Sequence, residues 1–133
     1  MKYLPFPFEQ STSLVIKTAK SINILTAELA SSDVEIFQSL NYRAAKDFKS
    51  PLVLQFSNPL IQSLSLQQFK FDAEQILIEE GSNVVRGVQL IKKAKASGKY
   101  VQAYAGFSLA ILAPVGFAKK FGIELNKTII TIK

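Results

Sequence analysis

The segment Gly106-Phe107-Ser108-Leu109-Ala110 places a serine between a strand-like and a helix-like stretch, where a G-x-S-x-G nucleophile elbow would sit. A serine nucleophile needs a base to take its proton, and the chain holds no His. A Ser–Lys pair is the base chemistry that remains, because a buried Lys with a depressed pKa acts as a base. Ala110 stands where the second Gly would be, and a helix N-cap accounts for Ser108 without any reaction. No catalytic residue is therefore assigned, and Ser–Lys hydrolysis is the remote alternative. The acid pairs Asp72/Glu74 and Glu79/Glu80 are too close in sequence to converge on a helix, and no turn-forming Ca²⁺ loop surrounds them. With no His and no Cys, the usual zinc, thiol-redox, iron–sulfur and His- or Cys-held haem sites have no ligands. No metal and no cofactor is expected, and the chain reads as a non-enzyme.

The basic residues point elsewhere. Residues 1–80 hold seven Lys/Arg against nine Asp/Glu, a net of −2, whereas residues 81–133 hold nine against the single acid Glu124, a net of +8. Arg86, Lys92, Lys93, Lys95 and Lys99 form a cationic set, and Tyr100 and Tyr104 lie four apart on a strand-like stretch, on one face. Such a surface suits a protein partner through complementarity of charge and shape. The same residues would also clamp phosphates and stack on bases, but no RNP, KH or Gly-rich phosphate loop accompanies them. Protein–protein contact is the favoured reading and nucleic-acid binding the alternative; salt separates them, because phosphate clamping weakens steeply with salt.

The elements that must position these residues follow from spacing. With 133 residues, 48% of them hydrophobic, no repeat and no linker, the chain reads as one domain, 1–133, with residues 1–12 as an N-terminal arm. Leu14–Lys17 and Ile22–Leu25 read as two strands of a hairpin. Ser32-Asp33-Val34-Glu35 has capping-box spacing, and Val34, Phe37, Leu40, Ala44 and Phe48 follow as the buried face of a helix, with Arg43, Lys46, Asp47 and Lys49 opposite. Ser50-Pro51 stops that helix, and Leu52–Phe56 reads as a core strand. Asp72 caps a helix from Ala73 to about Ala96, weakened near Gly81 and Gly87. Lys99–Ala105 reads as a strand, Ser108–Phe121 as a helix bent at Pro114, and Thr128–Ile132 as a closing strand. The expected fold class is α/β: a single-domain sandwich with helices packed on a central mixed, mostly parallel sheet of about five strands.

Three further expectations concern setting. The absence of Cys and of an apolar leader fits the cytoplasm. The 19 uncharged residues Tyr100–Ala118 pose a membrane question, but a buried strand plus a buried helix has the same composition, and core is the preferred reading. Tyr3, Phe6 and Phe8 beside Pro5 and Pro7 make the arm a candidate homo-oligomer contact.

The element order and some local patterns resemble a STAS domain, the anti-sigma-factor-antagonist type of module, over roughly residues 14–132. Ile22–Leu40 is similar to that family's strand, link and first helix, Leu52–Asn58 to its central strand, and Leu90–Ala105 to its helix, Gly turn and next strand. The family's phosphorylatable Ser has no clean counterpart, Gln62-Ser63-Leu64-Ser65 matching only loosely, so no phosphosite is carried over. The resemblance implies a non-enzymatic regulatory switch that binds a partner protein.

Overall fold

The structure is a computed structural model and describes residues 4–56, 63–65, 69–93, 100–102 and 107–133. Its elements in order are β1 (Ser11–Lys17), β2 (Ile22–Ala30), α1 (Asp33–Gln38), a 3₁₀ turn (Ala45–Asp47), β3 (Leu52–Gln55), β4 (Ser63–Ser65), β5 (Ala73–Glu79), β6 (Val85–Ile91), β7 (Tyr100–Gln102), β8 (Phe107–Ala113), α2 (Phe117–Lys120) and β9 (Ile129–Ile132). Seven strands form one sheet in the order β6-β5-β8-β3-β2-β1-β9, and β4 pairs with β7 in a separate ribbon. The pairs in the main sheet are antiparallel except β2 with β3. Its two ends meet: Val84 bridges Ile129, Val85 N–H donates to Thr128 O at 2.9 Å, and Ile130 N–H donates to Asn83 O at 2.9 Å. The sheet thus curls into a barrel closed at one point.

This corrects the expectation of a mostly parallel sheet covered by helices; the sheet is mixed, as expected, but mostly antiparallel. The corrections to individual elements share a cause. The expected helix from Ala73 is the hairpin β5–β6, turning at Gly81 (φ 89°) and Asn83 (φ 60°), conformations that glycine and asparagine tolerate. Between Leu77 and Ile78 the register slips, leaving Arg86 as the bulged residue, and a Cβ on Gly87 would come within 3.2 Å of Leu77 Cδ1. Of the expected helix Ser108–Phe121, the part beyond Pro114 is the short helix α2, but the part before it is β8, an unbroken apolar run because both its faces are covered, which erases the period-two signal. Ser108 therefore sits within a strand rather than at a helix start, and the elbow reading loses its geometry. Part of the Tyr100–Ala118 run is this strand, and among the described residues no helix is long and apolar enough to cross a membrane.

Along the central strands, alternate residues feed two cores. Leu14, Ile16, Ala27, Val53, Ile76, Ile78, Leu109, Ile111 and Ile130 point into the barrel, and Phe117 of α2 packs with them. Leu52, Leu54, Leu77, Ala110 and Leu112 point outward and are covered by Ile36 and Leu40 with Phe8, Phe48, Phe56 and Phe69. The short helix α2 is held by Glu74, which accepts from Gly116 N–H at 2.8 Å and Ala118 N–H at 2.9 Å. Glu74→Ala leaves those amides to solvent and is expected to cost about 1 kcal/mol. Urea unfolding of the variant checks this, and an unchanged midpoint would mean the cap is idle.

The capping box forms as the spacing predicted: Ser32 Oγ accepts from Glu35 N–H at 3.2 Å and Glu35 Oε1 accepts from Ser32 N–H at 3.1 Å. The helix after it is shorter than its periodicity implied and buries the other face. It ends at Gln38, where Ser39 (φ 51°) and then Tyr42 (φ 71°) turn the chain. Val34 and Phe37, expected to be buried, are exposed and Ile36 is buried instead; Leu40 and Phe48 are buried as expected, and Arg43, expected on the solvent side, is among the most buried residues of the protein.

Candidate functional site

Of the residues that the sequence singled out, the structure describes the side chains of Arg86, Lys92 and Lys93. Arg86 is in β6, where its Nη2 lies 3.2 Å from Glu79 Oε1 and its Nη1 donates to Asn126 Oδ1 at 2.9 Å. Ser82 donates to the same Glu79 carboxyl at 2.7 Å; that hydrogen bond first, and Arg86 second, hold it below the usual carboxylate range. What the lowered value contributes is present at neutral pH and fades as acid protonates Glu79. Lys92 and Lys93 are exposed just beyond β6, so the basic helix expected from the sequence is a strand end. Lys95, Lys99 and Tyr104 lie outside the described residues, and of Tyr100 only the main-chain pairing with Ser65 is described. The acid pairs are also dispersed: Asp72 accepts from Lys93 N–H at 2.6 Å, while Glu74 and Glu79 serve α2 and Arg86. Among the described residues no cluster of acids is placed to hold a metal.

Sequence reasoning missed an ion pair. Glu28, on the outward face of β2, meets Arg43 in two bonds, Nη1 to Oε2 at 2.6 Å and Nη2 to Oε1 at 3.0 Å, with the side chains 7% and 2% exposed. The arm seals it. Phe8 N–H donates to Glu28 Oε1, and the guanidinium carbon lies 5.2 Å and 4.9 Å from the ring centroids of Phe6 and Phe8. Farther out, Leu4 N–H donates to Gln38 Oε1 at 2.6 Å and Gln38 Nε2 donates to Leu4 O at 2.8 Å. Charge is neutralised internally and the pair is shut from water, so it fixes the arm rather than acting on a substrate. The sequence signal was Glu28 itself, one charge inside the apolar run Ile22–Ala30.

The arm also decides what stays bare. β1 begins at Ser11, inside the arm expected to run to residue 12, so the arm ends at Gln10, which accepts from Leu29 N–H at 2.9 Å, and cover over the outward face begins near Glu28. Beyond that point the outward face of β9, β1 and β2 carries two cross-strand rows, Ile129–Lys17–Ile22 and Thr131–Val15–Ile24. Ile22 is 63% exposed and Ile24 64%, and Ile129 is exposed beside them. No acidic residue lies in these rows. Lys17 stands within them and Lys20 in the turn at their end, and among the described residues neither has a carboxylate within ion-pair distance.

No protein-family model and no curated protein sequence matches the chain. Two solved structures do match in shape. One is a protein of unknown function from Novosphingobium aromaticivorans, with a TM-score of 0.74 at 12% identity over 98% of this chain and 91% of that one. The other is a protein from Sinorhizobium meliloti described as a candidate transcription regulator, with a TM-score of 0.68 at 16% identity over 92% of this chain and 94% of that one. The fold is shared. At these identities the likeness extends to the fold alone.

Proposed function

We propose that the protein is a non-enzymatic regulatory or binding module that acts through protein–protein contacts, with the outward face of β9, β1 and β2 as its docking surface. The observation that carries this reading is the pair Ile22 and Ile24, about two-thirds exposed side by side on a sheet face. Large aliphatic residues grouped this way are what a partner covers, and each contributes about 1.5–3 kcal/mol when fully buried. The occupant is an amphipathic segment with acidic residues. Lys17 and Lys20 supply the complementary charge, and a second copy of this face would set lysine against lysine. The lack of His and Cys fits a role without bond chemistry.

Ile22→Asp with Ile24→Asp tests the reading. Both side chains are mostly in water, so each substitution is expected to cost about 1 kcal/mol, mainly strand propensity and cross-strand packing on Lys17 and Val15. A labelled peptide with Leu on one helical face and Glu on the other is the probe, read by fluorescence anisotropy. Binding weakened about tenfold or more by the double substitution supports the surface. Nucleic-acid binding, the competing reading, is tested with mixed-sequence DNA and RNA oligonucleotides. Oligonucleotide binding that falls steeply with salt and ignores the two aspartates would overturn the protein-docking reading.

A further inference from the structure

A cleft of about 460 Å³ opens between β2, the segment before β3 and the α2 region, adjoining the docking face at Leu25 and Thr26. Its floor is apolar: Leu25, Pro51, Pro114 and Phe117 line it, and Phe117 and Pro51 are buried. Two cations, Lys49 and Lys120, line the same cleft, and no acid does. Lys120 Nζ lies 5.4 Å from the centroid of the Phe121 ring. Among the described residues neither lysine has a carboxylate partner. A neighbouring cleft shares Lys120 and Phe121 and adds Lys20 and Lys119 against one acid, Glu124, leaving a net positive lining on this side of the molecule. The amides at the start of α2 are not available to a ligand, because Glu74 already occupies them.

We infer that this cleft binds a small anion with an apolar body, an aryl or acyl group carrying a phosphate or carboxylate. The volume falls in the range of small-molecule sites, and the lining has their usual character, apolar walls with a few convergent polar groups. The body lies on the proline–phenylalanine floor and the anionic head is met by Lys49 and Lys120. An apolar ligand without charge leaves two ammonium groups unused. An inorganic anion leaves the floor unfilled. The inference does not depend on the docking face.

The probe is 1-naphthyl phosphate, titrated against the ¹⁵N-labelled protein, with 1-naphthol and inorganic phosphate as controls. Saturable shifts at the amides of Gly116 and Phe121, which line the cleft, with each control binding about tenfold or more weaker, are expected. Lys49→Ala with Lys120→Ala is expected to weaken the naphthyl phosphate by about tenfold or more at an unchanged melting temperature, since both lysines are exposed. The inference is overturned if inorganic phosphate binds as well as the naphthyl phosphate, if the lysine variant binds equally, or if no saturation is reached by about 5 mM.

Discussion

Arg43→Leu is expected to lower the free energy of unfolding by about 3–5 kcal/mol, a large fraction of what holds a domain of this size together. The substitution does not merely remove two hydrogen bonds. It leaves the Glu28 carboxylate buried against the arm with no countercharge, since among the described residues no other cation pairs with it and it has little contact with water. Most of the loss is thus the penalty on the survivor. Replacing both, Arg43→Leu with Glu28→Leu, is expected to recover a large part of it. The residual cost of the double variant is that of the Phe8 N–H left without its acceptor, about 1–3 kcal/mol. The native pair already leaves Arg43 Nε without a partner, which lowers what an apolar replacement must make up. Urea unfolding of the three variants measures these differences. A single substitution costing under about 1 kcal/mol would mean that water reaches the pair.

Phe8→Ala is expected to cost about 3 kcal/mol. Phe8 is 6% exposed and belongs to the outward core, where it packs with residues from α1 and the central strands. Its ring also faces the Arg43 guanidinium, adding about 1 kcal/mol to what area alone supplies. The two sites share a contact, so their effects are not expected to add. Phe8→Ala in the Arg43→Leu background should cost less than in the native protein, and a double-mutant cycle in urea reads the difference. Loss of Phe8 also loosens the arm and bares more of the sheet's outward face. Binding of an apolar dye is expected to rise with it, while a cycle showing simple additivity would contradict the stacking of arm on ion pair.

How much of this was legible in the residues depends on how many faces each segment buries. β1, β2 and β9 read as strands from sequence alone because Leu14–Lys17, Ile22–Leu25 and Thr128–Ile132 are short aliphatic or β-branched runs. The capping box read correctly because Ser32 and Glu35 act locally. β8 and β5 are covered on both faces, and Leu109–Ala113 or Ile76–Ile78 carry no alternation to distinguish a buried strand from a buried helix. Reading helices there produced the expected α/β sandwich, and with it a basic helix where the structure has the end of β6. Arg43 was misplaced for a different reason: its burial depends on Glu28, fifteen residues away, and on the arm, and no periodicity records such a partner. The exposed isoleucines escaped notice because Ile22 and Ile24 look like core until the pairing shows which face they occupy.

Docking of a partner protein on the uncovered face of β9, β1 and β2 is tested most directly by mapping ¹⁵N amide shifts while the Leu/Glu amphipathic peptide is titrated in. Shifts are expected to gather at Val15, Lys17, Ile22, Ile24 and Ile129, with Arg86, Lys92 and Lys93 unmoved. Shifts gathered instead at Arg86, Lys92 and Lys93, or no saturable shift at all, would contradict docking on that face.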